Sequence, residues 1–265
     1  MKVSIITVCY NSAATIRDKI QSFFLQDYPN IEYIIVDGAS KDNTLNIVNE
    51  YQDRIATVIS EPDKGLYDAM NKGIELATGD VVGILNSDDF FTSESSVSTL
   101  IAGFNREDID AVYSDLVYVQ AENTDKITRL YSSKVFKKSL MKFGIMLPHP
   151  TFYTKKDVYK KCGLYKLDYR VAADFEFIAR CIVNGVVINR VPAITVKMRE
   201  GGISSSGLMW RIHQNMEVVR ACKENGIKTN LALVALKLPY KLFTLFTLFT
   251  LFTLFTLLTR KFVKV

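Results

Sequence analysis

Two adjacent carboxylates, Asp88 and Asp89, follow an apolar run at residues 81–85. A short apolar run is typical of a buried strand, and open α/β sheets bind ligands beyond the carboxyl ends of their strands. Carboxylate oxygens at such a place suit Mg²⁺ or Mn²⁺ carrying a phosphate-bearing substrate. A strand-to-helix turn with an Asp cap explains the same residues on local grounds. The other predicted strand ends must therefore decide between a metal site and a turn.

The elements that would position these acids alternate between strand and helix. Strands are predicted at residues 3–10, 31–36 and 55–59, with helical patterns at 16–24 and 45–51 between them. This alternation predicts right-handed βαβ units and an α/β fold, with a mostly parallel central sheet flanked by helices. Because parallel strands end at one edge, the polar residues that follow each strand are expected to meet Asp88 and Asp89 there. Those residues are Tyr10, Asn11, Asp37 and the loop at 61–65.

The end of the second strand supplies a candidate nucleotide contact. An acid at the place of Asp37 can accept hydrogen bonds from the ribose or base of a nucleotide, while an Asx-turn before Gly38 is the alternative. The fingerprint Gly-x-Gly-x-x-Gly is absent after the first strand, which argues against a dinucleotide cofactor. Further on, Asp63 is expected to cap an amphipathic helix at 66–77. The N-terminus of that helix, together with Lys64, would favour an anionic ligand.

In this order and spacing, the motifs resemble glycosyltransferase family 2. The matching stretches are 4–11, 36–42, 61–73 and 86–89. The resemblance implies a GT-A (Rossmann-like) fold, a nucleotide-sugar donor and inversion of the anomeric centre in a single displacement. It implies that Asp89 is the better metal ligand and that Asp88 lies nearer the ribose. The residues that it places at the nucleotide are Tyr10, Asn11, Asp37, Asp63, Lys64, Asp68, Asn71 and Asp88.

Sugar transfer of the kind that the resemblance implies requires two chemical groups in the site. Negative charge develops on the diphosphate leaving group, and a divalent cation, Mn²⁺ or Mg²⁺, stabilises such charge. Inversion also requires a base that takes the proton of the acceptor hydroxyl on the opposite face of the sugar.

The second half of the chain shows weaker patterns. We expect a strand at 111–119 with a hairpin partner at 127–131, and then a basic helix at 134–143. An apolar strand at 145–153 contains two prolines, which place it at an edge or in a loop. Two short strands at 186–191 and 193–198 are expected to close the domain, followed by a helix from residue 209 to 225.

Two stretches of this half carry candidate catalytic residues. The resemblance places the proline-containing stretch at the acceptor pocket and so makes His149 a candidate, with a structural imidazole as the alternative. It also implies Asp174 as the catalytic base, with Glu176 as second candidate, at the start of a predicted helix. Residues two positions apart cannot share a helix face, so only one of these acids is expected to reach the site. An acid-rich first helical turn is the alternative for both.

Residues 242–259 repeat Leu-Phe-Thr without any charge. On a helix the threonines spiral around all sides, so no polar face forms, and such a helix is either buried or in a membrane. Its length of roughly 27 Å approaches the ~30 Å hydrocarbon core of a bilayer. A period of three does not fit a half-buried strand. We expect a membrane-associating extension that either spans the bilayer or lies in its interface.

The composition narrows the class of protein. The 265 residues are 48% hydrophobic and 23% charged with a net charge of +5, which predicts a folded protein without a nucleic-acid groove. The four cysteines show no metal or redox spacing, and the N-terminus lacks a signal-peptide layout. We therefore expect reduced thiols and a location on the cytoplasmic side of a membrane.

These observations define three expected segments. They are residues 1–110 as the nucleotide-sugar-binding half, 111–205 as the acceptor and catalytic-base half of the same domain, and 206–265 as C-terminal helices with the hydrophobic tail. The predicted function is metal-assisted, inverting transfer from a nucleotide-diphospho-sugar, by default a UDP-sugar, to a lipid-linked or polysaccharide acceptor in surface-glycan assembly. A membrane-tethered nucleotide-sugar hydrolase and a non-catalytic sugar-nucleotide-binding protein are the alternatives.

Overall fold

The computed structural model of the chain describes residues 1–201 and 207–236. The strands are β1 (Val3–Cys9), β2 (Ile31–Asp37), β3 (Thr57–Ser60), β4 (Val81–Ile84), β5 (Phe90–Phe91), β6 (Ala111–Val119), β7 (Ile127–Tyr131), β8 (Tyr153–Lys155) and β9 (Ile188–Arg199). The α-helices are α1 (Ile16–Phe24), α2 (Thr44–Asn49), α3 (Leu66–Leu76), α4 (Ser96–Ile101), α5 (Lys156–Cys162), α6 (Ala173–Val183), α7 (Gly207–Glu224) and α8 (Leu231–Ala235). Short 3-10 helices occupy Gln52–Arg54, Ser133–Val135, Lys138–Phe143 and His149–Thr151.

The strands form one mixed sheet in the order β3-β2-β1-β4-β8-β6-β9-β5, and β7 pairs with β6. β1, β2, β3 and β4 run parallel to one another, whereas β8 pairs antiparallel with both β4 and β6. Strands from the first 110 residues and from the next 95 therefore share one hydrogen-bonded sheet.

Both faces of the sheet are covered because the strands are apolar on both sides, as expected for buried parallel strands. Ile6 and Val8 of β1 pack into one cluster with residues of α3, α5, α6 and α7. Ile5 and Cys9 of the same strand face a second cluster with residues of α1, α2 and α4. The sheet is thus fixed between two helical layers, and its edges are the places where side chains reach solvent.

The predicted convergence of strand ends is present in the pairing register. Cys9 at the end of β1 lies beside Asp37 at the end of β2, and Asp37 lies beside Ser60 at the end of β3. β4 runs parallel to β1 on its other side, with Ile6 beside Ile84. The loops that follow these strands therefore leave the sheet at one edge.

Three expectations for the second half were wrong. Residues 134–143 form two short 3-10 helices instead of one basic α-helix, and Gly144, with φ 71°, ends the second. The stretch at 145–153 is not a strand, because Pro148 and Pro150 lack the N–H groups that a ladder needs; it forms a 3-10 turn before β8.

The third wrong expectation concerns the two short strands at 186–191 and 193–198, because residues 188–199 form the single strand β9. The register between β6 and β9 shifts on either side of Asp115, because Tyr113 pairs with Arg190 and Asp115 with Ile194. Pro192 falls in the shifted region, where no regular ladder bond is required of it, so the strand continues past the proline.

Gly83 of β4 lies directly against the buried ring of Tyr153 on β8. A Cβ atom at residue 83 would stand 2.3 Å from two ring carbons of Tyr153. Gly83→Ala should therefore lower the free energy of unfolding by about 1–3 kcal/mol, measured by urea denaturation. Tyr153→Phe is the matched control, because the Tyr153 hydroxyl is buried without a partner among the described residues and its loss should leave stability unchanged or higher. Equal unfolding midpoints for Gly83→Ala and the unaltered protein would contradict this packing.

The Leu-Phe-Thr repeat at 242–259 lies outside the described residues. Within residues 1–201 and 207–236, none of the helices is both long and apolar enough to cross a membrane.

Candidate active site

Asp37 ends β2 at the shared edge and is completely buried. Its carboxylate accepts hydrogen bonds from the Ser40 backbone N–H at 2.9 Å and from the Ser60 hydroxyl at 2.6 Å. The Ser40 hydroxyl donates to it as well. These bonds fix the loops after β2 and β3 around one carboxylate.

Tyr10 and Asn11 follow β1 and lie beside this loop. Asn11 adopts a left-handed backbone conformation with φ 49°, and so does Ala39 in the facing loop with φ 60°. Such conformations are sparsely populated by residues other than glycine and often occur at ligand sites. The Asn11 side chain accepts the Lys41 N–H at 2.8 Å, while Tyr10 keeps 57% of its surface exposed. The ring of Tyr10 is therefore free to stack on a planar ligand.

The loop before α3 joins the same edge. A Cβ atom on Gly38 would lie 2.3 Å from a carboxylate oxygen of Asp63, so Asp63 packs directly against the loop after β2. Asp63 accepts the Gly65 N–H at 2.8 Å, and Asp68 accepts the Lys64 N–H at 3.0 Å. The N-cap of α3 is Gly65, without a side-chain cap, so the expectation that Asp63 caps this helix was wrong. These contacts place Asp63 against the residue that follows Asp37 and join Lys64 to Asp68 at the start of α3.

Asn71 is placed differently from the other predicted nucleotide contacts. It is buried on α3, and its amide forms two hydrogen bonds with the backbone of Tyr165, donating at 2.8 Å and accepting at 2.9 Å. This pair ties α3 to the segment that precedes α6. Its geometry is that of a structural tie.

Asp88 and Asp89 follow β4, as the sequence predicted. Asp89 is completely buried, and neither of its carboxylate oxygens has a hydrogen-bond partner among the described residues. Burial, and next the neighbouring charge of Asp88, raise the pKa of the Asp89 carboxyl well above its ordinary value. Burial also raises the pKa of Asp88. A buried carboxylate without donors is unfavourable unless it is protonated or a positive charge lies near it.

Lys19 and Arg199 place positive charge near Asp89. Lys19 lies on the buried side of α1, with its Nζ 5.4 Å from the ring centre of Tyr33 and 5.0 Å from that of Phe91. Burial lowers the pKa of Lys19 to about 7, although the charge of Asp89 opposes this shift. Arg199 is held by Asp18 at 2.5 Å. Sequence reasoning missed Lys19, although its spacing from Ile16, Ile20 and Phe23 places it on the apolar face of α1.

The residues described include no cluster of three or more His, Cys, Asp or Glu side chains suited to a metal ion. A magnesium or manganese ion that also binds the substrate needs fewer protein ligands, because one or two carboxylates and the substrate phosphates can complete its coordination. The unpartnered oxygens of Asp89, beside Asp88, fit this requirement.

Asp174 lies in the first turn of α6 and contacts Tyr67 of α3. The Tyr67 hydroxyl of α3 lies 3.4 Å from an Asp174 oxygen, and it donates to the Val171 carbonyl at 2.7 Å. Burial raises the pKa of Asp174, although the nearby His149 opposes the shift. Burial lowers the pKa of His149, whose Nε2 lies 2.8 Å from the Tyr165 hydroxyl. The pair therefore consists of a neutral imidazole beside a carboxyl group with raised basicity.

Glu176 points elsewhere, as the helix spacing predicted. Its carboxylate is completely buried and forms ion pairs with Arg180 at 2.8 Å and Lys166 at 2.9 Å. Asn225 of the segment after α7 donates to it at 3.3 Å. The Glu176 carboxylate is thus engaged in holding α6 to its neighbours.

The comparisons with known proteins show the family of the chain. Residues 4–169 match the sequence model described as glycosyl transferase family 2, and the chain therefore belongs to glycosyl transferase family 2. A PGL/p-HBAD biosynthesis glycosyltransferase of Mycobacterium tuberculosis is 29% identical over 209 residues, which cover 77% of this chain and 79% of the relative. An uncharacterized glycosyltransferase of the same species is 32% identical over 182 residues, covering 67% of this chain and 68% of the relative. The predicted enzyme class, a glycosyltransferase, is confirmed.

A further relative has a more specific name. The Escherichia coli UDP-Glc:alpha-D-GlcNAc-diphosphoundecaprenol beta-1,3-glucosyltransferase WfaP is 26% identical over 239 residues, covering 88% of this chain and 90% of the relative.

Two solved structures show the fold of the chain. S. aureus TarS 1-349 in complex with UDP-GlcNAc has a TM-score of 0.64 at 20% identity, covering 89% of this chain and 71% of that one. The mannosyltransferase PcManGT of Pyrobaculum calidifontis, in complex with GDP-Man and Mn²⁺, has a TM-score of 0.67 at 20% identity, covering 86% and 65%. The GT-A fold expected from the sequence motifs is confirmed.

Proposed function

We propose that the chain transfers a sugar, with inversion, from a nucleoside-diphosphate sugar to a hydroxyl of a lipid-linked or polysaccharide acceptor. The observation that carries this proposal is the buried Asp89 carboxylate, which has no partner in the described residues and lies at the strand edge shared with Asp37. UDP is the nucleotide that we favour, because UDP-Glc stands in the name of WfaP.

Each part of the nucleotide is assigned to particular residues of the chain. Tyr10 stacks on the base, and the Asp37 loop, with Asn11 and Asp63, holds the nucleoside. Lys64 and Asp68 border the phosphates, and Asp88 lies nearest the ribose. We assign no nucleotide contact to Asn71, because its amide already binds the Tyr165 backbone.

Asp89, with Asp88 beside it, is the proposed holder of a divalent cation. When bound, Mn²⁺ or Mg²⁺ would supply positive charge that offsets the charge developing on the diphosphate leaving group. The buried position of Asp89 keeps water away from its carboxylate oxygens and would strengthen their electrostatic contact with the cation.

Asp174 is the proposed general base. Its raised pKa makes the carboxylate a better proton acceptor for the acceptor hydroxyl than an exposed Asp would be. His149, kept neutral by burial, lines the acceptor side of the proposed site. Its ring is held in place by the hydrogen bond between its Nε2 and the Tyr165 hydroxyl. Glu176 takes no part in the proton transfer, because Arg180 and Lys166 occupy its carboxylate.

One assay separates this proposal from its alternatives. Purified protein with Mn²⁺ is incubated with a panel of UDP-, GDP- and dTDP-sugars, with and without membrane lipid extract, and release of nucleoside diphosphate is followed. Release that depends on the lipid extract is the expected result. Release at full rate without acceptor would instead favour a hydrolase, and nucleotide binding without turnover would favour a non-catalytic binding protein.

We also propose that residues 242–259 attach the protein to the cytoplasmic face of a membrane. Their uncharged Leu-Phe-Thr repeat lies between Lys241 and Arg260, whose charges can reach headgroups. Exposed Met209, Ile212 and Met216 on α7 add apolar surface. The diphosphoundecaprenol in the name of WfaP is consistent with a lipid-linked acceptor.

Replacing the phenylalanines at 243, 246, 249, 252 and 255 by serine in the full chain should release it from membranes. Each lost Phe removes apolar area worth about 1.5–3 kcal/mol on transfer from water, so binding should fall below detection. Flotation with liposomes of mixed zwitterionic and anionic lipid measures this. Replacing the threonines at 244, 247, 250, 253 and 256 by serine is the matched control and should preserve flotation. Equal flotation of the Phe variant and the unaltered chain would contradict the attachment.

A further inference from the structure

Glu217 lies on α7, far along the chain from Asp174, yet it binds the backbone just ahead of Asp174. Its Oε1 accepts the Arg170 N–H at 2.8 Å. Its Oε2 accepts the N–H groups of Val171 and Ala172, also at 2.8 Å each. One buried carboxylate thus receives three consecutive backbone N–H groups.

These N–H groups stand at the N-terminus of α6, which begins at Ala173. The N-cap residue is Ala172, whose methyl side chain cannot accept a hydrogen bond, whereas Ser, Thr, Asp or Asn usually supplies that acceptor. Glu217 does not replace that N-cap acceptor, because it accepts the N–H groups of the three residues that lead into the helix, and its negative charge suits the positive end of α6. The backbone that leads into the first turn of α6, which contains Asp174, is therefore held by α7.

Tyr67 holds the same segment from α3. Its hydroxyl donates to the Val171 carbonyl at 2.7 Å and lies 3.4 Å from an Asp174 oxygen. Val171 is consequently held through its N–H by Glu217 and through its carbonyl by Tyr67. Two elements from different parts of the chain fix the peptide units from which Asp174 projects.

We infer that Glu217 is a positioning residue for sugar transfer, acting through the backbone of 170–172 to aim the Asp174 carboxylate at the acceptor hydroxyl. This inference rests on the proposed role of Asp174 as base. Glu217 is buried and its carboxylate is occupied by backbone N–H groups, so its removal should change the chemical step and leave nucleotide binding intact. A displacement of about 1 Å at a reacting group can reduce rate by ~10²-fold.

The charge and length of Glu217 are both needed for this contact. A carboxylate can accept all three N–H groups, whereas a glutamine amide offers one oxygen and turns its NH₂ toward N–H donors. Glu217→Gln preserves the size of the side chain and removes its ability to accept all three N–H groups. Glu217→Asp keeps the charge and shortens the side chain by one methylene, so it should retain part of the effect.

Glu224, also on α7, provides a matched control. It binds Lys166 at 2.8 Å and the Tyr169 hydroxyl at 2.9 Å, so it ties α7 to the same region through side chains. Glu224→Gln and Glu217→Gln should both lower the melting temperature. It leaves the N–H groups of 170–172 engaged, and the direction of Asp174 should therefore be unchanged.

The test compares transfer to lipid-extract acceptor with hydrolysis of the same UDP-sugar by water, using full-length variants and equal amounts of UDP-binding protein. Glu217→Gln should keep UDP affinity within about twofold and lose transfer by ~10–100-fold, while hydrolysis changes far less. Glu217→Asp should show a smaller fall in the ratio of transfer to hydrolysis, and Glu224→Gln none.

Equal losses of transfer and hydrolysis in Glu217→Gln, or an unchanged ratio, would overturn the inference. Asp174→Asn, measured in parallel, separates this failure from that of the proposed function. Full transfer by Asp174→Asn removes the base assignment itself, whereas an inactive Asp174→Asn beside an unchanged ratio in Glu217→Gln removes only Glu217. Should Glu217→Gln not fold, the ratio in Glu217→Asp decides in the same way.

Discussion

Asp174→Asn should bind UDP as tightly as the unaltered protein and transfer sugar about 10²–10⁴ times more slowly. The substitution keeps the shape of the side chain and the 2.7 Å bond from the Phe175 N–H, which the remaining amide oxygen can accept. It removes the proton acceptor, because an amide does not take a proton near neutral pH. Binding by calorimetry and transfer by release of nucleoside diphosphate measure the two effects separately.

Glu176→Gln is the control that distinguishes the two acids of α6. It removes a buried charge that pairs with Arg180 and Lys166, so the protein should be less stable. Each folded molecule should nevertheless transfer sugar normally. A loss of turnover per folded molecule in Glu176→Gln, together with an active Asp174→Asn, would exchange the two roles.

The pH profile offers an independent readout of the base. Asp174 must be deprotonated to accept a proton, and burial raises its pKa above the ordinary value of 3.8. The value of kcat/KM should therefore fall with decreasing pH along an acid limb that lies above pH 3.8. Burial lowers the pKa of His149 below its ordinary value of 6.5, so its imidazole should be neutral at pH 6.5 and above.

The first half of the fold could be predicted because its patterns are local. Each strand from β1 to β4 is a short apolar run, and parallel pairing then brings the strand ends to one edge without further information. The second half depends on contacts that no local pattern records. β9 continues through Pro192 only because the register against β6 shifts there, and the sequence around the proline reads as two strands.

The same division holds for the site. The strand pattern alone predicts site positions for Asp37, Asp88 and Asp89, because they stand where strands end. The role of the acids on α6 can be predicted only from the family resemblance. The different surroundings of Asp174 and Glu176 follow from their helix spacing, but which of them meets Arg180 and Lys166 depends on tertiary packing. Glu217 has no sequence signal, because an acid in the middle of a helix usually faces solvent.

Asp89→Asn should abolish the effect of Mn²⁺ on UDP affinity and slow transfer by at least about 10²–10³-fold. The Asp89 carboxylate is buried, and within the part of the chain that is described its oxygens have no hydrogen-bond partner, so they are available to the proposed cation. Asparagine has nearly the same shape and lacks that charge. Titrating UDP with and without Mn²⁺ gives a readout that does not depend on turnover.

Asp88→Asn is the control variant with which Asp89→Asn should be compared. Asp88 is half-buried and is proposed to lie nearer the ribose, so its loss should weaken UDP binding while the remaining affinity still responds to Mn²⁺. EDTA should therefore reduce UDP affinity in Asp88→Asn and leave it unchanged in Asp89→Asn. If EDTA instead weakens UDP binding equally in both variants, the cation is held elsewhere, because a buried carboxylate that binds it cannot be neutralised without loss of metal dependence.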